Sequence, residues 1–94
     1  METQESITKW GDETFNRSPT NLRIAIRALK ELVELLDALV KDDNSTEAPS
    51  EIADVVIILN SLASRLNVSL IDEVNKKMEI NRSREWNREE GRHI

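Results

Sequence analysis

The sequence predicts an all-α fold, a bundle of about four helices that assembles as an oligomer. Only two glycines and two prolines interrupt the 94 residues, and helix-forming residue types such as Leu, Ala, Glu, Lys and Arg are abundant. Apolar residues recur at spacings of three and four instead of alternating. The length allows one domain, residues 1–94, in which 1–18 form an N-terminal segment and 87–94 a frayed tail.

Two helices are predicted in the first half of the chain. Residues 2–10 suit a short helix that ends at Gly11, because glycine is favoured at helix C-termini. Ser18-Pro19 then marks the start of a helix of about 22 residues, since a hydroxyl caps the first turn and proline lacks only an N–H that would be unpaired there. An apolar stripe predicts that this helix faces the core. The apolar stripe consists of Leu22, Ile26, Leu29, Val33, Leu36 and Val40, widened by Ala25, Leu32 and Leu39.

A third helix is predicted from Pro49-Ser50 to about Leu66, after a polar connecting loop over 42–48. Its apolar residues surround nearly the whole circumference, which is typical of a buried helix. Because so short a chain leaves much of that surface uncovered, we expect a dimer or a dimer of dimers.

The last helix is predicted from about Leu70 to Trp86. Asn67 suits the end of the preceding helix, because asparagine tolerates a left-handed backbone. Ser69 followed by Asp72 resembles a capping box, which favours a new helix directly after that stop.

Composition excludes several classes of function. The chain has no cysteine, so a disulfide framework and thiol catalysis are excluded, and its one histidine, His93, cannot form a multi-histidine metal site. A net charge of −5 argues against a general nucleic-acid binder. The longest apolar run, Val55–Leu59, is too short to span a bilayer. We therefore expect a cytoplasmic protein (in the host cytoplasm if viral) with no nucleic-acid or membrane partner.

Two pairs of carboxylates are the main candidates for chemistry. Glu31 and Glu34 lie three residues apart on the second helix, and Glu51 and Asp54 repeat that spacing on the third, so each pair projects from one face. Asp54 precedes five apolar residues, and we expect it to enter the core with them. If the two helices pack antiparallel, as a short loop favours, the pairs meet across the seam. Four oxygen ligands suit Mg²⁺, for which Mn²⁺ can substitute; the alternative is an ordinary solvated face.

Polar donors lie on one face of the last predicted helix. Lys77, Asn81 and Arg84 are spaced by four and three residues, and their donors match phosphate oxygens. The alternative is a solvated face with local ion pairs. An acidic metal seam together with a phosphate-binding face is suited to hydrolysis of a phosphoanhydride.

The sequence resembles the small MazG-like, all-α nucleoside triphosphate pyrophosphohydrolases. The family signature E-x-x-E followed by E-x-x-D corresponds to ELVE at residues 31–34 and EIAD at residues 51–54. KMEINRSREW, residues 77–86, is similar to the family segment K-M-x-x-N-x-x-R-x-W. WGDETF, residues 10–15, is similar to W-x-x-x-T-F of phage-type members that act on purine deoxynucleotides.

The resemblance implies Mg²⁺-dependent hydrolysis of a (deoxy)nucleoside triphosphate between its α and β phosphates, with dGTP or dATP favoured, in control of the nucleotide pool. Members assemble as dimers or tetramers. One glutamate of the first pair would also serve as the catalytic base. The implied site residues are Glu31, Glu34, Glu51 and Asp54 for the metal, Glu31 and Glu34 for catalysis, Lys77, Asn81 and Arg84 for phosphates, and Trp10 and Phe15 for the base.

Two other functions remain open at this stage. A non-enzymatic interaction module, antitoxin-like or an assembly protein, would use the apolar third helix on a partner. A nucleic-acid binder would use the arginine-rich C-terminal segment, although four glutamates are interleaved there. Plain core filling is likewise the alternative to base stacking for Trp10 and Phe15.

Overall fold

The computed structural model describes residues 1–17, 20–87, 89 and 91–93. They form four helices, in agreement with the predicted all-α fold, and one short pair of strands near the C-terminus. The elements are α1 (Gln4–Thr14), α2 (Asn21–Lys41), α3 (Ala48–Arg65), α4 (Leu70–Ser83), β1 (Trp86–Asn87) and β2 (Arg92–His93).

The antiparallel pair α2 and α3 is the centre of the fold. Ile24 and Ala28 of α2 are buried with Ile58 of α3, and Leu62 packs against them. Where the N-terminus of α2 meets the C-terminus of α3, the Arg65 Nε donates to the Asn21 side-chain oxygen at 2.7 Å. The predicted antiparallel hairpin is therefore present, and the contact between α2 and α3 is called the seam below.

Polar side chains attach α1 to the end of α3 and to the start of α4. The Gln4 side-chain amide donates to the Val68 carbonyl at 2.8 Å and accepts from the Leu70 N–H at 2.7 Å. One turn on, the Thr8 and Ser64 hydroxyls are 2.8 Å apart. The prediction that this helix ends at Gly11 is wrong, because α1 continues to Thr14 with its glycine turned towards α3.

The remaining helix ends follow local capping. The Thr20 side chain caps α2, while the predicted start signal Ser18-Pro19 lies outside the described residues. Asn67 has a φ of 57°, as its predicted role in stopping α3 requires. The Ser69 hydroxyl accepts from the Asp72 N–H at 3.3 Å, which confirms the predicted start of α4.

The last helix is shorter than the sequence predicts, since α4 ends at Ser83 instead of Trp86. The Ser83 hydroxyl donates to the Ile80 carbonyl at 2.8 Å, which competes with the helical ladder. The Trp86 indole N–H then donates back to the Asn81 carbonyl at 2.8 Å. Both bonds satisfy carbonyls that a continuing helix would have used.

The described part of the tail is paired, whereas the sequence predicts fraying over 87–94. Trp86 lies opposite His93 and Asn87 opposite Arg92 in an antiparallel register. Gly91 lies in the connecting turn with a φ of 66°, a conformation that glycine adopts at no steric cost. The tail therefore turns back on itself directly after α4.

The apolar stripe on α2 does not face the core of this chain. Val40 is 84% exposed and Leu22 is 70% exposed, while Ile24 on the other side of the helix is 5% exposed. The core face of α2 is formed instead by Ile24, Ala28 and Ala38. One side of α2 is occupied by α3, so the remaining apolar side is left at the surface.

Within a single chain α3 is not buried all round, as expected of a chain too short to cover its apolar surface. Ile58 and Ala63 are buried, but Ile52 is 51% exposed. Among the described residues, no single helix is long and apolar enough to cross a membrane; α3 and α4 reach that length only together, with a bend of 97° between them.

Candidate functional site

Carboxylates from α2 and α3 meet at the seam. One carboxylate oxygen from each of Glu31, Glu51 and Asp54 lies within 4.8 Å of the others. Glu34 belongs to the same group, because its carboxyl is close enough to Glu31 to share a hydrogen bond. These four residues are called the acidic cluster below. Antiparallel packing produces it, since the N-terminal turns of α3 lie beside the second half of α2.

Burial within the acidic cluster differs from the sequence-based expectation. Asp54 was expected to enter the core, but it is exposed, whereas Glu31 and Glu51 are partly buried. The Glu51 Oε2 atom is inaccessible to solvent and has no hydrogen-bond partner among the described residues. Because buried polar atoms are nearly always paired, this oxygen is suited to contact a further ligand.

Negative charge is concentrated here, and within the described ranges none of the four carboxylates forms an ion pair. A hydrogen bond with the Glu34 carboxyl is the largest cause of the raised pKa of Glu31, followed by burial and by the surrounding carboxylates. Burial is the largest cause of the raised pKa of Glu51, followed by the charges of Glu34 and Asp54. Both shifts disfavour the ionised forms, so a bound divalent cation would relieve the repulsion.

A cavity of about 190 Å³ opens beside the seam, between α1, α2 and α3. Trp10 and Phe15, the two aromatic residues singled out from the sequence, both line it. Three arginines that belong to none of the sequence motifs also line it. These arginines are Arg17, Arg27 and Arg65.

Aromatic and cationic groups contact one another in the cavity wall. The Trp10 and Phe15 rings pack edge to face, with centroids 5.5 Å apart and an interplanar angle of 87°. The Arg27 guanidinium carbon lies 5.7 Å from the Phe15 ring centroid. The two aromatic residues are about half exposed, so neither fills the core of this chain. Their rings are open to a ligand.

The cavity and the acidic cluster are neighbours along the same two helices. Arg27 in the cavity wall precedes Glu31 by four residues, and Ile58 in the wall follows Asp54 by four, so about one helical turn separates the two places. Arg27 could have been identified from the sequence, because it precedes Glu31 by four residues and residues i and i+4 share one helix face.

The structure does not bring the three predicted phosphate-binding residues to this place. Among the described residues, neither the acidic cluster nor the cavity wall includes Lys77, Asn81 or Arg84. Arg84 lies beyond the end of α4 with an extended backbone, so the predicted single helix face is wrong for it. The Asn81 side-chain oxygen is inaccessible to solvent and has no hydrogen-bond partner among the described residues.

This arrangement has two chemically different halves. The acidic cluster offers hard oxygen ligands, which suit Mg²⁺ or Mn²⁺. The cavity offers aromatic faces and guanidinium groups, which suit a flat ring system and an anion. Side by side, they can hold a ligand that is flat at one end and carries metal-binding phosphates at the other.

The chain matches a known protein family and a curated relative. A family model described as dATP/dGTP pyrophosphohydrolase matches residues 3–93. A protein of Cyanophage S-2L named dATP/dGTP diphosphohydrolase is 35% identical over 69 residues, which are 70% of this chain and 65% of that relative. The chain thus spans just under two thirds of the length of this curated relative. No solved structure matches the chain significantly.

Proposed function

The chain belongs to the dATP/dGTP pyrophosphohydrolase family, and we propose that it hydrolyses purine deoxynucleoside triphosphates, dGTP or dATP, to the monophosphate and pyrophosphate. The observation that carries the proposal is the grouping of Glu31, Glu51 and Asp54 at one place on the seam, with Glu34 hydrogen-bonded to Glu31. Such an enzyme would act on the nucleotide pool of the cytoplasm. The family match favours this function over a helical interaction module.

The acidic cluster would hold Mg²⁺. Three of its carboxylates already lie within 4.8 Å of one another, and the orphaned Glu51 oxygen needs a partner. Glu34 would complete the set from α2. When bound, Mg²⁺ neutralises charge on the phosphates and lowers the pKa of a coordinated water.

The reaction breaks the bridge between the α and β phosphates. A water oxygen bonds to one of the two phosphorus atoms at the bridge, the bridging P–O bond breaks, and one water proton passes to a carboxylate. Glu31 and Glu34 are the proposed proton acceptors.

The nucleoside would occupy the cavity. Its volume of about 190 Å³ is below the roughly 300–1,000 Å³ typical of pockets for drug-sized ligands, so it suits a base better than a whole nucleotide. Trp10 and Phe15 would contact the ring, and the phosphates would extend towards the acidic cluster. Lys77, Asn81 and Arg84 remain candidates for phosphate binding in an assembly, where α4 of a second copy can approach the site.

We also propose that the chain forms a homo-oligomer, a dimer or tetramer, through the apolar stripe on α2. The stripe is a continuous apolar surface along the helix, of the kind that soluble proteins rarely leave open. Leu29→Glu together with Leu36→Glu should convert the oligomer to monomers in light scattering after size exclusion. Lys30→Glu, an exposed position on the same helix outside the stripe, is the matched control. A wild-type chain that is monomeric at every concentration would contradict the proposal.

One assay tests the reaction. The protein is incubated with each natural NTP and dNTP and with Mg²⁺, and the products are separated by chromatography. We expect monophosphate and pyrophosphate from dGTP or dATP, and neither in EDTA. Diphosphate with inorganic phosphate would overturn cleavage at the α–β bridge. Absence of turnover with both Mg²⁺ and Mn²⁺ would overturn the enzymatic proposal and favour the interaction module.

A further inference from the structure

Arg27 occupies the boundary between the cavity and the acidic cluster. It lines the cavity from α2 and precedes Glu31 by one helical turn. Its guanidinium carbon lies 5.7 Å from the Phe15 ring centroid. It forms no ion pair with any residue in the described ranges. A cation without an ion-pair partner among the described residues therefore lies about one helical turn from Glu31 of the acidic cluster.

We propose that Arg27 binds the α-phosphate of the nucleotide, a role that rests on the proposed function above. The α-phosphate is the only phosphate joined directly to the nucleoside. If the nucleoside fills the cavity and the outer phosphates lie at the acidic cluster, the α-phosphate must lie between them. Arg27 is the cavity residue on the turn of α2 next to Glu31.

The chemistry of arginine fits this position. A guanidinium stacks flat on an aromatic ring and leaves its N–H donors pointing outwards in its plane, where they match two oxygens of a phosphate. Phe15 supplies such a ring. A cation here also offsets the repulsion between the acidic cluster and an incoming polyanion, which bound metal only partly removes.

The other arginines of the cavity are less suited to the role. Arg65 donates to Asn21 at 2.7 Å, at the far end of the seam from Glu31. Arg17 follows the end of α1 and is not fixed by the helix that carries the acidic cluster. Of the three cavity arginines, only Arg27 is on the same helix as Glu31.

The test compares binding of deoxyguanosine and of dGMP, which differ by the α-phosphate alone. Affinities are measured by calorimetry on the full chain with Mg²⁺. For Arg27→Ala we expect dGMP to lose about tenfold or more in affinity, as for a hydrogen bond to a charged group, with deoxyguanosine nearly unchanged. Arg27→Lys should fall between, since it keeps the charge but loses the flat stack. Arg23→Ala, one turn earlier on α2 and outside the cavity, should bind both ligands as the wild type does.

Each outcome decides the proposal. An unchanged ratio of the two affinities in both Arg27 variants would overturn it, and so would an equal loss for the two ligands, which would place Arg27 against the nucleoside. Failure of the wild type to prefer dGMP over deoxyguanosine would also overturn it. A wild-type chain that shows the Arg27-dependent preference but releases no pyrophosphate would overturn the proposed reaction and leave the phosphate contact standing.

Discussion

The acidic cluster and the cavity lie about one helical turn apart along the seam, and their internal interactions have opposite signs. At the acidic cluster, like charges face one another, and the pKa values of Glu31 and Glu51 are raised. In the cavity, attractive contacts already exist, because the Phe15 ring packs edge to face against Trp10 and lies within cation–π distance of the Arg27 guanidinium. The cavity wall is thus held together by its own contacts, whereas the acidic cluster is the half of the site that a bound cation would stabilise. Loss of a group should therefore have different consequences at the two ends.

The largest expected effect is loss of turnover on removal of a charge from the acidic cluster. Asp54→Asn would remove one of the proposed metal ligands. Substitution of residues that only hydrogen-bond to metal ligands typically costs about 10–100-fold, so we expect activity to fall by about 100-fold or more. Pyrophosphate release measures it, with circular dichroism to verify the fold. Asp37→Asn, the same change on α2 outside the acidic cluster, should retain activity. Wild-type turnover in Asp54→Asn would show that the site is misplaced.

Substitutions in the cavity wall should lower the affinity for substrate and leave the affinity for Mg²⁺ unchanged. Phe15→Leu removes a ring from the wall, and since stacking is worth about 1–3 kcal/mol per base, KM for dGTP should rise roughly 5- to 150-fold. Mg²⁺ affinity should not change. If the variant lost Mg²⁺ binding and kept its KM, the division of the site into two halves would be wrong.

Stability without metal should change in opposite directions at the two ends. Glu51→Gln removes one of the repelling charges, so in EDTA its Tm should exceed that of the wild type by a few degrees, while Phe15→Leu should lower Tm. In excess Mg²⁺ the wild type should instead have the higher Tm, because it keeps all four proposed metal ligands and Glu51→Gln keeps three. Thermal melts in both buffers give the comparison. A Glu51→Gln variant that is less stable in EDTA would argue against repulsion as the dominant effect.

The smallest expected effect is the pH dependence of that stability. Carboxyls whose folded-state pKa is raised contribute stability that is present below their ordinary value near 4.5 and lost as pH rises through the raised value. In EDTA, lowering the pH from 7 towards 5 should therefore raise the stability of the wild type relative to Glu51→Gln. Mg²⁺ should flatten this difference, since the metal favours the ionised form. A wild type that instead loses stability relative to Glu51→Gln as the pH falls from 7 towards 5 in EDTA would contradict the sign.

The sequence predicted the backbone of this fold well, because its signals are local. The stop at Asn67 and the cap at Ser69 depend only on neighbouring residues, and the structure has both. The antiparallel seam followed from a short loop, and with it the meeting of Glu31 with Glu51. These inferences required no knowledge of tertiary packing beyond two adjacent helices.

The predictions that failed concern which side chains are buried, because burial depends on what packs against the helix. A stripe of apolar residues shows that one side of α2 avoids water, but not whether this chain or a second copy covers it. Leu29 and Val33 were expected in the core and are exposed, while the smaller Ala28 is buried. The same holds for Asp54, which lies at the surface despite its apolar neighbours. Arg27 was missed because an arginine on a helix is ordinarily a solvated residue.

The polar attachment of α1 has a consequence for how the site exchanges its ligand. No residue of α1 is buried, and side-chain hydrogen bonds from Gln4 and Thr8 connect it to the rest of the chain. Segments with so little buried apolar area open locally at a cost well below that of global unfolding. The amide hydrogens of α1 should then exchange faster than those of α2 and α3. Because Trp10 and Phe15 belong to or adjoin α1, a nucleoside in the cavity should slow that exchange, and α1 would serve as a natural reporter of occupancy.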